Sequence, residues 1–270
     1  MPELPEVEYA RASLARWTKG KRLAGASATP GKPLRGTTPA EVAKLAGRRT
    51  EKVERIGKHL LWTLDGGVGI HLHLGMTGKL VWRKAGEAPP PHERVRFDLP
   101  GGAVSFADPR RFGRFEIVPS AKLRALPEVA DLGPDALDEP LDGPALAKRL
   151  GVTRRPLKLA LMDQTLIAGL GNIQAAEALW RAKLSPFLTP QQLSPAQWKR
   201  LAAAIQEALR YAVDEEKPGA RDITYVEEPG AENPFLVYGR KGEPCRRCKT
   251  PIVQEVQGQR STYYCPRCQR

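Results

Sequence analysis

Apolar residues at Leu4, Val7, Ala10, Leu14 and Trp17 recur at helical spacing, which predicts a helix beginning within the opening residues. Pro5 and Glu6 suit its first turn, where an amide hydrogen has no partner and the helix dipole favours an acid. Beyond it the period shortens to two. Leu60, Trp62 and Leu64, then Ile70, Leu72 and Leu74, then Val95, Phe97 and Leu99 alternate with mostly polar neighbours and predict strands. Turns such as Asp65-Gly66-Gly67 and Pro89-Pro90-Pro91 separate them, as in an antiparallel sandwich or barrel over the first 130 residues or so. The breaker-rich stretch from Leu132 to Pro144 reads as a domain linker. After it the pattern turns helical. Ser194 caps, Pro195 occupies the first turn, and Trp198, Leu201, Ile205 and Ala212 line one face. Lys217 to Pro234 lacks a clear period and reads as a mobile loop. The expected class is α+β, with domains over 1–131, 132–234 and 235–270.

Composition sharpens the expected partner. The chain of 270 residues carries 43 Lys and Arg against 30 Asp and Glu, a formal charge of +13, with a sequence pI near 9.8. A polyanion is the natural counterpart of such a surface. From Arg240 to Arg270 there are eight basic residues and two acids, Glu243 and Glu255. No run approaches the roughly 18 apolar residues of a membrane span, and no secretory signal is expected. The reading is a monomeric, cytosolic protein with no membrane partner.

The cysteines supply the first specific chemistry. Cys245-Arg246-Arg247-Cys248, sixteen residues, then Cys265-Pro266-Arg267-Cys268 have the spacing of a four-cysteine zinc ribbon. Four thiolates leave no position for water, so one structural zinc ion is expected; a redox dithiol pair and an iron–sulfur site are the competing readings. Strand-like residues between the pairs predict a hairpin with Arg260 near its turn. At the other end, loss of Met1 would expose a secondary amine on Pro2. An α-amino group titrates at about 7.7 to 8.0, so much of it is a free nucleophile at neutral pH. Attack on a sugar C1′ by such an amine yields an iminium ion, and Glu3 and Glu6 stand beside it for proton transfer. Ordinary helix capping accounts for Pro and Glu at these positions equally well.

Together with the ribbon, the opening Met-Pro-Glu-Leu-Pro-Glu-Val-Glu closely resembles the formamidopyrimidine-DNA glycosylases. The resemblance continues through Ile56-Gly57-Lys58-His59-Leu60-Leu61, His73-Leu74-Gly75-Met76-Thr77-Gly78 and Asp108-Pro109-Arg110-Arg111-Phe112-Gly113. It extends to Met162-Asp163-Gln164, Gly169-Leu170-Gly171-Asn172-Ile173 and the run from Val237 to Cys245. It implies a β-sandwich with an N-terminal helix, a helix-two-turn-helix domain, and damaged double-stranded DNA bound between them.

The family pattern assigns roles to matching residues. Pro2 attacks C1′, Glu3 protonates the ring oxygen and shuttles protons, Glu6 supports it, and Lys58 grips a phosphate. The target base must leave the stack, and Met76, Arg110 and Phe112 fill the hole. Asn172 and Arg260 hold backbone phosphates, and Lys158 lies near the damaged nucleotide, unless it is a surface helix lysine. His71 and His73 alternate with leucines and read as packing or hydrogen-bonding groups. Two departures bear on base choice: Lys217-Pro218-Gly219-Ala220-Arg221-Asp222 stands where oxidised-purine members carry Gly-Gly-Ser or Gly-Gly-Thr, and Gln174 stands where the family usually has Tyr. The expected activity is excision of oxidised purines with β,δ-elimination at the resulting abasic site. An endonuclease VIII-like preference for oxidised pyrimidines and a non-catalytic damaged-DNA binder are the alternatives.

Overall fold

The computed structural model describes residues 2–215 and 233–270. Most of the loop expected at 217–234, including the 217–222 departure, lies outside them. The chain divides into two compact units, one ending at Ala130 and one containing Asp131–Glu215 and the C-terminal segment.

The first unit opens on α1 (Leu4–Thr18), whose predicted apolar face is buried throughout. After β1 (Gly25–Ala28) and the short α2 (Pro39–Ala43), the chain runs through β2 (Thr50–Ile56), β3 (His59–Leu64), β4 (Val68–His73) and β5 (Lys79–Lys84). It continues through β6 (Glu93–Leu99), β7 (Gly102–Ala107) and β8 (Arg114–Pro119). Hydrogen bonding sorts the strands into two four-stranded sheets, β1-β6-β7-β5 and β2-β3-β4-β8. The period-2 rule divides the second sheet's side chains. Leu60, Trp62, Ile70, Leu72 and Phe115 point into a core shared with Val95, Phe97 and Phe106 of the first sheet and with α1. Trp62 meets Phe97 edge to face at 4.8 Å, which fixes the contact between the sheets.

The opposite face of β2-β3-β4-β8 has its own roof. A 3-10 turn at Ser120–Ala125 and α3 (Pro127–Ala130) place Leu123 and Val129 over Leu61. His59, His71, His73, Arg114 and Glu116 share this second face, being in the alternate register to the core residues.

The second unit holds α4 (Gly143–Leu150), α5 (Leu157–Leu161), α6 (Asn172–Ala182), α7 (Pro195–Glu215) and a hairpin of β9 (Val253–Gln257) and β10 (Arg260–Tyr264). Ser194 and Gln197 exchange hydrogen bonds at the start of α7, and its expected face is buried. The stretch read as a linker is instead built into this unit. Gly133 donates to the carbonyl of Gln164, Ala136 to that of Ala168, and Gly143-Pro144 begin α4. Its breakers serve tight packing: a Cβ on Gly133 would lie 2.6 Å from the Leu166 backbone. Among the described residues no helix is long and apolar enough to cross a membrane.

Candidate active site and zinc module

At the head of α1, Pro2 and Glu3 are buried, and Glu6 is 8% exposed. Glu3 occupies the N-cap position, and its backbone N–H donates to Glu6 Oε2 at 2.8 Å. The capping reading is met by this geometry, which seats the Glu6 carboxylate on the backbone of the residue next to Pro2. The helix dipole favours its negative charge there.

Lys58 sits in the two-residue turn between β2 and β3, after Gly57 in the left-handed region at φ 55°. A buried guanidinium ties this turn to α1. Arg55 Nε donates to Glu8 Oε2 at 3.1 Å and its Nη1 to the Gly57 carbonyl at 3.0 Å. With the Arg55 side chain wholly buried, this bridge is screened little by water.

Met76, Arg110 and Phe112 lie on two loops that are fastened together. Asp108, fully buried, accepts from Thr77 Oγ1 at 2.8 Å through one oxygen and from the Gly113 N–H at 2.8 Å through the other. Gly75, at φ 69°, permits the approach, since a Cβ there would come within 2.5 Å of the Phe112 backbone. Phe112 is 56% exposed with the Arg110 guanidinium 5.1 Å from its ring centre, and Met76 is half-buried. An aromatic ring held out in water by a buried carboxylate clamp is unusual for a packing residue.

The histidines pack as a row. His59 Nδ1 lies 2.9 Å from His71 Nε2, and His73 Nδ1 accepts from the Gly75 N–H at 3.0 Å. Burial, reinforced by its neighbours' positive charge, pushes His59 down to about 2. Burial likewise lowers His71 and His73 to about 4. All three are neutral near pH 7.

In the second unit, Gly171 is the N-cap of α6 and Asn172 its first helical residue, 6% exposed, with Oδ1 lacking a hydrogen-bond partner. Gln174, two residues on, is buried. Lys158 is no surface lysine. It is fully buried, and its Nζ donates to the Ser261 carbonyl at 3.0 Å and to Thr262 Oγ1 at 2.9 Å, tying α5 to β10. Arg260 is exposed at the start of β10, next to a tight turn in which Gly258 and Gln259 have φ of 56° and 61°.

The four cysteine Sγ atoms lie within 4.8 Å of one another. Cys245 and Cys268 are 4.0 Å apart, and Cys248 and Cys265 3.4 Å. Tetrahedral zinc with bonds of about 2.3 Å sets sulfurs about 3.8 Å apart, so the residues fit one structural zinc ion. The module docks on the C-terminal half of α6, where Arg247 stacks 3.8 Å from the Trp180 ring centre and donates to the Trp180 and Arg181 carbonyls.

Sequence reasoning assigned no part to Arg55, Asp108 or Thr77. It also missed Glu177, a buried acid in α6 that accepts the backbone N–H groups of Leu236, Val237 and Tyr238 and pairs with Arg181. An acid on an otherwise apolar helix face was the available signal.

The chain thus combines a helix-led sandwich with a helical unit that carries a docked four-cysteine ribbon. Family models match in three successive stretches: the formamidopyrimidine-DNA glycosylase N-terminal domain over 1–115, its H2TH domain over 132–224, and the zinc finger found in FPG and IleRS over 242–270. The chain belongs to the formamidopyrimidine-DNA glycosylase family. It is 40% identical to the enzyme of that name from Thermus thermophilus, covering 100% of this chain and 98% of the relative. Wild-type Lactococcus lactis Fpg bound to N7-benzyl-Fapy-dG DNA superposes with a TM-score of 0.88 at 30% identity, with full coverage of both chains. The same enzyme with oxidised-pyrimidine DNA gives 0.87 at 28%, again over both full chains.

Proposed function

We propose that this glycosylase excises oxidised purines, including ring-opened formamidopyrimidines, from duplex DNA and then cuts the strand. The observation that carries the reading is the head of α1, where buried Pro2 directly precedes a buried capping turn in which Glu6 Oε2 accepts from the Glu3 N–H.

With Met1 removed, the Pro2 nitrogen attacks C1′ as the glycosidic C–N bond breaks and the base leaves with a proton. Glu3 protonates the ring oxygen as the sugar opens, and the nitrogen lone pair completes an iminium ion. The C2′ proton is then acidic. Its loss expels the 3′ phosphate, a second proton loss expels the 5′ phosphate, and water releases the enzyme. Glu6 acts through its hold on the Glu3 backbone. Lys58 supplies a point charge to a phosphate beside the lesion.

Met76, Arg110 and Phe112 fill the space left by the flipped nucleotide, the ring and thioether by stacking and the guanidinium by hydrogen bonding. Asn172 and Arg260 hold phosphates. Lys158 acts on DNA through the hairpin it anchors, two of its Nζ bonds going to β10. The cysteines would hold a zinc ion whose chemistry is structural: it fixes the hairpin that presents Arg260.

Borohydride reduction with abasic duplex DNA tests the chemistry. A covalent adduct whose mass maps to Pro2 is expected, and no adduct from zinc-loaded protein lacking Met1 overturns the lyase reading. The Lactococcus lactis complex with an oxidised pyrimidine favours a second substrate class. Rates on duplexes with one 8-oxoguanine or one thymine glycol decide; faster thymine glycol removal overturns the purine preference.

A further inference from the structure

We propose that His71, Glu116 and Glu128 form a second metal site, for a divalent transition ion such as zinc, between β4, β8 and α3. His71 and Glu116 are directly opposed across β4 and β8, so their side chains leave the same face of the sheet. The roof segment brings Glu128 over them. His71 Nδ1 is buried and has no hydrogen-bond partner. It lies 3.9 Å from Glu116 Oε2 and 4.0 Å from Glu128 Oε1, beyond hydrogen-bond range of either. Two metal–ligand bonds of about 2.0 to 2.2 Å reach across such a gap. One ligand atom from each of the three residues falls within 4.8 Å of the others.

Two further features agree with an ion there. The other nitrogen of His71 faces His59 Nδ1 at 2.9 Å. A histidine ligating through Nδ1 carries its proton on Nε2 and donates it to a neighbour, and His59 is placed to accept. Two guanidiniums stand by the two carboxylates, Arg114 with Nη1 3.4 Å from Glu128 Oε1 and Arg35 acting on Glu116, so an ion there competes with them for the carboxylates. Finally, the His71 side chain is fully buried while those of Glu116 and Glu128 are 27% and 26% exposed. The imidazole is thus fixed by the sheet, and the partly exposed carboxylates open toward solvent, from which an ion and the waters that complete its sphere would enter. One nitrogen and two carboxylate oxygens suit zinc, cobalt or nickel better than magnesium or calcium, which prefer oxygen throughout. The ion's part is structural: it braces the roof to the end of β4, where His73 holds the Gly75 amide. The inference stands apart from the lyase chemistry.

Zinc titration of the full-length protein, already carrying one zinc per chain, tests it by calorimetry and metal analysis. A second equivalent is expected, bound more weakly than the first. Cobalt at this site should show visible d–d bands without the sulfur-to-metal absorption of the ribbon. Glu116→Gln and Glu128→Gln alter partly exposed positions and keep the side-chain shape. Each should weaken the second equivalent by roughly tenfold or more, and His71→Gln should abolish it, while all three keep the first ion. A single equivalent in the wild type, leaving a water bridge or a bare ion pair at His71, overturns the proposal. So does a second equivalent that the glutamate variants bind unchanged.

Discussion

The sandwich that carries Pro2 and the ribbon that carries Arg260 owe their order to different forces. In the sandwich, two sheets and α1 bury a continuous core in which Trp62, Phe97 and Phe115 interlock. Many weak contacts are shared, so no single one is decisive. The ribbon buries little of its own: Cys245, Ile252 and Cys265 join Val237 against Ala176 and Trp180 of α6. A segment this short does not close a core without a metal. Stripping zinc therefore separates the two regions. Structural zinc contributes an apparent 10–16 kcal/mol or so in small modules. Chelation, or Cys265→Ser, should abolish amide protection in β9 and β10 while β3, β4 and β7 stay protected in hydrogen exchange. Loss of protection throughout would mean that the sandwich, too, depends on the metal.

The contrast sharpens at Asp108, where the sandwich behaves like the ribbon in miniature. Its two oxygens bind Thr77 and Gly113, so one buried side chain fastens both loops of the proposed wedge. Asp108→Ala leaves those donors unpaired, at about 1–3 kcal/mol. The unfolding free energy from denaturant titration should fall by that amount, and base excision should slow while zinc content is unchanged. A loss of stability without slower excision would show that the loops keep their shape without the clamp.

These forces also decide what is legible in the sequence. The first helix and β3, β4 and β6 announce themselves by period, because one face carries large apolar residues into the shared core and the other carries mostly polar or small ones. By contrast β1 is Gly-Ala-Ser-Ala, and β7 is buried at nearly every position, so neither alternates. The cysteine spacing reads directly because a tetrahedral ion imposes it. Clamps do not read this way: Thr77 and Asp108 are 31 residues apart, and Lys158 finds its partners 103 and 104 residues away. Nothing local distinguishes such a lysine from a solvated one.

Acid should strain the sandwich through its histidine row. His59, His71 and His73 are neutral when folded, with values of about 2, 4 and 4, against an ordinary value of 6.5. The unfolded chain thus takes up protons first. The contribution is complete above pH 6.5 and is lost as pH falls toward 4 for His71 and His73 and toward 2 for His59, by about tenfold in the folding constant per pH unit for each proton. His59→Phe should flatten that limb by about one proton, read from the pH dependence of unfolding followed by sandwich amides. An unchanged slope would mean that His59 is solvated in the folded chain. The ribbon also fails in acid, but by protonation of its thiolates and loss of the ion, and added zinc counters only that failure.

The smallest expected effect lies at the ribbon's tip. Arg260 is exposed and follows the tight Gly258-Gln259 turn, so its truncation removes a charge and little packing. A phosphate contact of that kind is insensitive to base identity. Arg260→Ala should weaken intact and damaged duplexes alike and lower the slope of log K against log salt by about 1. Stability and zinc content should not move, since the hairpin is held by the cysteines and by Lys158 from behind. A change in lesion preference with an unchanged salt slope would instead place Arg260 against the bases. The ribbon would then share in recognition, and the division between a sandwich that does chemistry and a module that holds the backbone would not stand.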